Sequence, residues 1–215
     1  MNREQPISIE QSARSRIDGA LDLLAPRPMN DLGTRAESGA DIDFDCESFD
    51  FQDLPRRKGL RPATLRGPLH IQCNGHGDLQ HLDELTSAVL SWPYVESSLP
   101  NNDSSNTIPL RLEETAAGYN FAAFISPREF GRVLIGAPTI YLALPMVCAH
   151  WAIVRGWAEP HYLSSHGLMP AGALVVYTPR DQHELSICYS LFLAAYTAAS
   201  KLSNGTKYQR VGDVN

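Results

Sequence analysis

The stretch ALVVYTPRDQHELSICYSLFLAAYTAASKL, residues 173–202, constrains the fold most. Its first part is a β-branched run that reads as a strand and ends at Pro179. Asp181 then offers an N-cap. Glu184 follows at the capping-box spacing, although Asp stands where Ser or Thr is usual. Beyond the cap, Leu185, Cys188, Phe192, Ala195, Tyr196 and Ala199 fall on one side of a helix. Asn204-Gly205 is its stop signal. A helix with that apolar face needs a sheet to lie on.

The preceding residues supply one. IPLRLE (108–113), YNFAAFIS (119–126), FGRVLIG (130–136) and TIYLALP (139–145) read as strands. MVCAHWAIVRGW (146–157) has helical spacing through Val147, Trp151 and Val154, which predicts that these residues face inward. Gly156 suits its C-cap region, and Pro160 bars continuation. Further upstream, PLHIQC (68–73) is a short strand and NGHGD a turn. Asp78 caps a helix to about Ser91, with Leu79, Leu82, Leu85, Val89 and Leu90 as its inner face. This order predicts an α+β fold: a small antiparallel sheet with helices packed on one face, in a single domain over residues 51–204.

Residues 1–50 differ in character. ISIEQSARSRIDGALDLL can form an amphipathic helix, with Ile9, Ala13, Ile17, Ala20 and Leu24 along one side. The acidic run from Glu37 to Asp53 alternates with Phe44, Phe49 and Phe51. It is expected to be an extended N-terminal arm, partly flexible, with Phe side chains as pins. Residues 205–215 are a polar tail.

Composition removes several function classes. The chain has 215 residues and a formal net charge of −6, which argues against a nucleic-acid groove. No apolar run reaches the ~18–20 residues of a membrane span, and the N-terminus lacks a secretory h-region. A cytoplasmic protein is expected, its four cysteines reduced, with Cys148 and Cys188 as small core residues. A homo-oligomer remains open. The chain has no phosphate-binding glycine loop, no dinucleotide fingerprint and no G-x-S-x-G elbow. Cys73, His76 and His81 give a C-x-x-H-x-x-x-x-H spacing without an evident further ligand, so no metal site is expected.

The candidate chemistry therefore rests on scattered groups. His161 and His166 lie in the loop PHYLSSHGLMPAG, between a helix end and a strand, where binding residues gather. Such a histidine is either a general base or a ring bonded to a loop carbonyl. His150, within the helix, reads as core or half-buried. Glu129 sits at a turn between strands, and is either solvated or reaches a cleft. Arg180 and Arg61 either hold an anion or brace the acidic arm.

Four stretches in order resemble the fungal luciferase family, whose best-known members oxidise 3-hydroxyhispidin. DLPRRKGLRP (53–62) matches through Asp53, Leu54, Pro55, Arg57, Gly59, Arg61 and Pro62. REFG (128–131), followed by YLALP, is similar to the family's Arg-Glu-Ile segment and its next strand. RGWAEPH (155–161) matches through Gly156, Trp157 and His161, and VVYTPRDQHE through Tyr177, Pro179 and Arg180. Arg155 and Glu159 fall outside these matches and are expected at the surface.

The resemblance implies cofactor-free oxygenation of an electron-rich α-pyrone, with loss of CO₂. Carried over, it makes His161 or Glu129 the base and Arg180 the anion holder, with Trp157 and Tyr177 stacking on a flat substrate. Arg132, Arg61 and His166 complete the expected substrate-binding set. Family members typically carry a His-x-His pair just after the Arg-Glu segment; here Arg132 and Leu134 stand there. Family members also resemble membrane-anchored proteins with an apolar N-terminal segment, and this chain begins with a polar one. The expected function is thus a divergent enzyme of fungal secondary metabolism. It would act by cyclisation, isomerisation, decarboxylation or oxygenation on a polyketide-like or aromatic molecule. The alternative is a non-catalytic small-molecule-binding or interaction protein on the same fold.

Overall fold

The computed structural model describes residues 51–96 and 106–201. The expected N-terminal helix and acidic arm, and the Asn204-Gly205 stop, lie outside the described residues. Among those described, eight strands and three helices form an α+β domain. The strands are β1 (Thr64–Leu65), β2 (Ile71–Gln72), β3 (Val95–Glu96), β4 (Thr107–Leu112), β5 (Glu129–Leu134), β6 (Thr139–Ala143), β7 (Ala158–Pro160) and β8 (Ala173–Val176). The helices are α1 (Leu79–Leu90), α2 (Met146–Val154) and α3 (Gln182–Ala199). β3 to β8 make a six-stranded antiparallel sheet in the order β3-β4-β5-β6-β8-β7, and β1 pairs with β2 apart from it.

The helices form as their capping residues predict. The Asp181 side chain accepts the Glu184 N–H at 2.8 Å, and Asp78 accepts the Gln80 N–H at 3.0 Å. All six residues expected on the inner face of α3 are buried. Five of them, Cys188, Phe192, Ala195, Tyr196 and Ala199, lie with Leu110, Phe130, Leu142 and Val176 of the sheet in one apolar core. Each large side chain so buried stabilises by about 1.5–3 kcal/mol. This helix stops at Ala199, before the stop signal, where Ser200 turns extended.

Two expected elements differ. The stretch 119–126 is not a strand: Asn120 caps a 3-10 turn at Phe121–Ala123 by accepting the Ala122 N–H. A local side-chain cap wins over the apolar pattern there. α2 turns mostly another face inward than the one expected: of Val147, Trp151 and Val154, Trp151 is half-buried against the core. Val147 and Val154 are exposed, and the small residues Cys148, Ala149 and Ala152 are buried. Small side chains let the helix approach the core closely. His150 is exposed rather than core, as is Leu79 of α1. The α2 C-terminus closes as read, with Gly156 at φ +83°.

RGWAEPH does not run on as a loop. Ala158–Pro160 is the edge strand β7, pairing Glu159 with Val175. That pairing turns the Glu159 side chain onto the sheet and buries it, which corrects its expected surface position.

Candidate functional site

Helices cover one face of the sheet. The other face carries the polar groups. Strand register brings Pro109, Arg132, Tyr141, Val175 and Glu159 into one row across five strands. A bulge adds Glu129 to this face. Leu110 pairs with Gly131 but Arg111 pairs with Glu129, so Phe130 is the extra residue. Without it, Glu129 and Arg132 would point to opposite faces. Two residues beyond Glu159, the His161 N–H donates to Ala173 O at 3.0 Å. Leu69 and Ile71 pack over Leu134, Tyr141 and Val175 as a cover.

Glu129 is buried and held tightly. Arg132 donates from Nε to Oε1 at 2.6 Å and from Nη2 to Oε2 at 3.0 Å, a two-point clamp. The Ser126 hydroxyl donates to Oε2 at 2.6 Å, and Arg111 stands 3.5 Å away. Arg132 and Leu134 thus share the site face, as the two-residue period of a strand requires. Arg132 is an ion-pair partner for Glu129, and Leu134 is a hydrophobe beside Tyr141.

His161 is buried, and its Nδ1 accepts the Leu163 N–H at 3.1 Å. That bond places the proton on Nε2. Among the described residues, neither His161 Nε2 nor the Tyr141 hydroxyl has a well-aligned hydrogen-bond partner. The two rings meet edge to face with centroids 4.6 Å apart. Burial, then the fields of His70 and Arg132, pushes the His161 pKa down to about 4, so the ring is neutral at pH 7. Burial also raises the Tyr141 phenol, against the pull of Arg132 and the His70 main chain.

His70, which the motif survey passed over, sits beside them. Its ring centroid is 5.5 Å from that of His161, and its Nδ1 accepts the Tyr162 N–H at 3.1 Å. His70 Nε2 approaches Glu159 Oε1 at 2.7 Å. Glu159 also accepts from the Thr64 hydroxyl at 2.7 Å and the Tyr177 hydroxyl at 3.0 Å. Burial works against the carboxylate. Thr64 and Tyr177, with the fields of His70 and Arg66, still hold its pKa below the usual range. Burial outweighs Glu159 at His70 and lowers that pKa too, so the contact joins a neutral imidazole to a carboxylate.

A second group continues the belt through Tyr177. Arg57 lies over the rings of Tyr177 and Trp157, at 5.3 and 5.9 Å from their centroids. Arg57 also donates to Glu184 at 2.9 Å and to Thr178 O at 3.0 Å. Arg180 bonds the same carboxylate and donates to Lys58 O at 2.6 Å. It therefore ties the start of α3 to the 53–62 loop. Trp157 is buried and donates to Pro55 O at 2.6 Å.

The belt thus joins Glu129, Arg132, His161, Tyr177, Trp157 and Arg180 of the expected set. Two residues stand apart. His166 is exposed, with Nδ1 at 2.9 Å from Tyr162 O, and Arg61 is exposed, donating to Ile153 O at 2.7 Å. Sequence reasoning missed Tyr141, His70, Glu159 and Arg57 as site members. Tyr141 and Glu159 could have been found only from register. Arg57 carried a signal, its place in the Arg-x-Gly-x-Arg-Pro pattern.

Among the described residues, no group of three His, Cys, Asp or Glu side chains comes together as a metal site. His76 Nδ1 instead lies 3.4 Å from the Thr178 hydroxyl, and Cys73 is exposed. No described helix is long and apolar enough to cross a membrane.

The strand β5, its clamped glutamate and the elements that follow it carry the family signal. Residues 128–195 match the family model described as Luciferase domain. The luciferase-domain match runs from the turn before β5 through most of α3, and includes Glu129, Tyr141, Glu159, His161 and Arg180. His70 and Arg57 reach the same belt from outside it. No curated protein and no solved structure matches the chain.

Proposed function

We propose that the chain is a divergent luciferase-like enzyme of fungal secondary metabolism. It acts by acid–base chemistry on a polyketide-like or aromatic small molecule, through cyclisation, isomerisation, decarboxylation or oxygenation. The observation that supports this most is the edge-to-face pair of His161 and Tyr141, whose Nε2–H and hydroxyl are both buried and without aligned partners among the described residues. Each unmet buried donor costs about 1–3 kcal/mol. An enolate oxygen placed between them would satisfy both, in a dry site where such bonds are strong. His161 is then a hydrogen-bond donor to the anion, since its Nδ1 is already occupied. Glu129 is the base, Arg132 holds it, and Arg57 and Arg180 brace the wall. A substrate enters by displacing the 68–72 cover.

A second reading is a non-catalytic binding protein. One observation favours it: Glu129 and Glu159 are both already engaged by donors. Hydroxylated α-pyrones offered to the full chain separate the two. Turnover followed by absorbance and oxygen uptake, lost in Tyr141→Phe, supports the enzyme. Saturable binding without turnover supports the binding protein. Neither turnover nor binding across the panel overturns both readings.

A further inference from the structure

Four arginines gather around one hollow whose lining does not include Tyr141 or His161. This hollow, of about 210 Å³, opens where the 53–62 loop meets the C-terminus of α2. Among the described residues, Arg56, Arg57, Arg61 and Arg155 line it, with Leu60 and Val154 at hand and no carboxylate. The Arg57 N–H donates to Arg155 O at 2.9 Å and fixes the two walls to each other.

The charges there are poorly balanced. Among the described residues, Arg57 alone of these four has a carboxylate partner, Glu184, which it shares with Arg180. Arg61 and Arg155 donate instead to the main-chain oxygens Ile153 O and Gln52 O, each at 2.7 Å. A carbonyl satisfies an N–H but does not cancel a positive charge. Two further buried N–H groups on lining residues, Arg57 Nη1 and Arg155 Nε, have no hydrogen-bond partner among the described residues, and the Arg57 side chain is only 4% exposed. Arg155 also lies over the Trp151 ring, 5.4 Å from its centroid, so the lining carries positive charge that its described neighbours do not cancel, in a chain whose formal net charge is −6. Planar N–H forks match the oxygens of carboxylates and phosphates.

We propose that this hollow is a binding site for an oxyanion, the carboxylate or phosphate head of a small molecule. Arg56, Arg61 and Arg155 supply the compensating charge, and Arg57 forms the buried back wall. The bound anion supplies the negative charge that the lining lacks. This proposal stands apart from the activity proposed above and shares only Arg57 with the belt.

The test is calorimetric titration of the full chain with inorganic phosphate, pyrophosphate and benzoate. Sodium chloride at matched ionic strength is the control. One saturable site is expected, with a rise in Tm that chloride does not give. Arg56→Gln/Arg61→Gln should weaken it at least tenfold, because both side chains are exposed and charge is what they contribute. If that double variant fails to fold, Arg56→Gln alone should weaken binding severalfold. A preference for pyrophosphate marks a phosphorylated ligand, and a preference for benzoate marks a carboxylate; either supports the site. Absence of saturable binding by all three probes, or equal binding by the variants, overturns it.

Discussion

The His161 ring stands edge-on to Tyr141 at 4.6 Å between centroids, and each carries a buried polar atom without an aligned partner. Strand pairing alone does not require this. A phenylalanine at 141 would fill the same space and leave no hydroxyl to satisfy. Tyr141→Phe is therefore expected to fold with stability within about 1 kcal/mol of wild type, or slightly above it. Turnover or ligand affinity should fall about 10- to 100-fold. Urea unfolding alongside the α-pyrone assay checks both. A large loss of stability would show that the hydroxyl has a structural role.

His161 also gives a pH signature. Its folded pKa of about 4 lies below the ordinary 6.5, so folding favours the neutral ring. The contribution is complete above pH 6.5 and is lost as pH falls from there towards 4. It amounts to ~3 kcal/mol at most. His70, also lowered, acts in the same direction. Glu159 and Glu184 have depressed pKa values, so their contributions are lost only below the ordinary carboxylate range near 4.5. Unfolding free energies between pH 7.5 and 5 should therefore drop for wild type and drop less for His161→Asn. Identical slopes would contradict this.

Glu184 compensates two arginines at once, with Arg57 and Glu184 side chains each 4% exposed. Glu184→Ala leaves Arg57 buried without its partner and should cost about 3–5 kcal/mol. The double variant Arg57→Met/Glu184→Leu should recover much of that, because no charge is then left buried. Thermal unfolding of the three proteins decides. A double variant as unstable as Glu184→Ala would assign the loss to packing.

Gly77 lies where the segment before α1 crosses the start of α3. A Cβ there would sit 2.3 Å from Arg180 Cα and 2.4 Å from Pro179 O. Both are main-chain atoms and cannot turn aside. Gly77→Ala is expected to destabilise by about 3 kcal/mol. A Tm unchanged from wild type would mean that this crossing is loose.

Much of the fold was legible in local chemistry. Capping side chains and periodicity located α1 and α3, and β-branched runs located β4, β5, β6 and β8. Where a pattern was ambiguous, the reading failed for a physical reason. Val147, Trp151 and Val154 form an apolar stripe, but Cys148, Ala149 and Ala152 permit closer packing and took the inner face. YNFAAFIS looked extended until the Asn120 cap is counted.

The site divides along the same line. Sequence by itself determined that Glu129, His161 and Arg180 stand at or next to the ends of regular elements, and that Arg132 and Leu134 lie two apart on one strand. Those are matters of residue type and spacing along one strand or turn. Only the tertiary structure decided that Glu159 is buried, that His70 meets it, and that Tyr141 faces His161. Each depends on cross-strand register and on one bulged residue, Phe130, and a shift of one position sends a side chain to the opposite face. Such long-range pairings are set by how the strands dock on one another and leave no mark in the spacing of any single stretch.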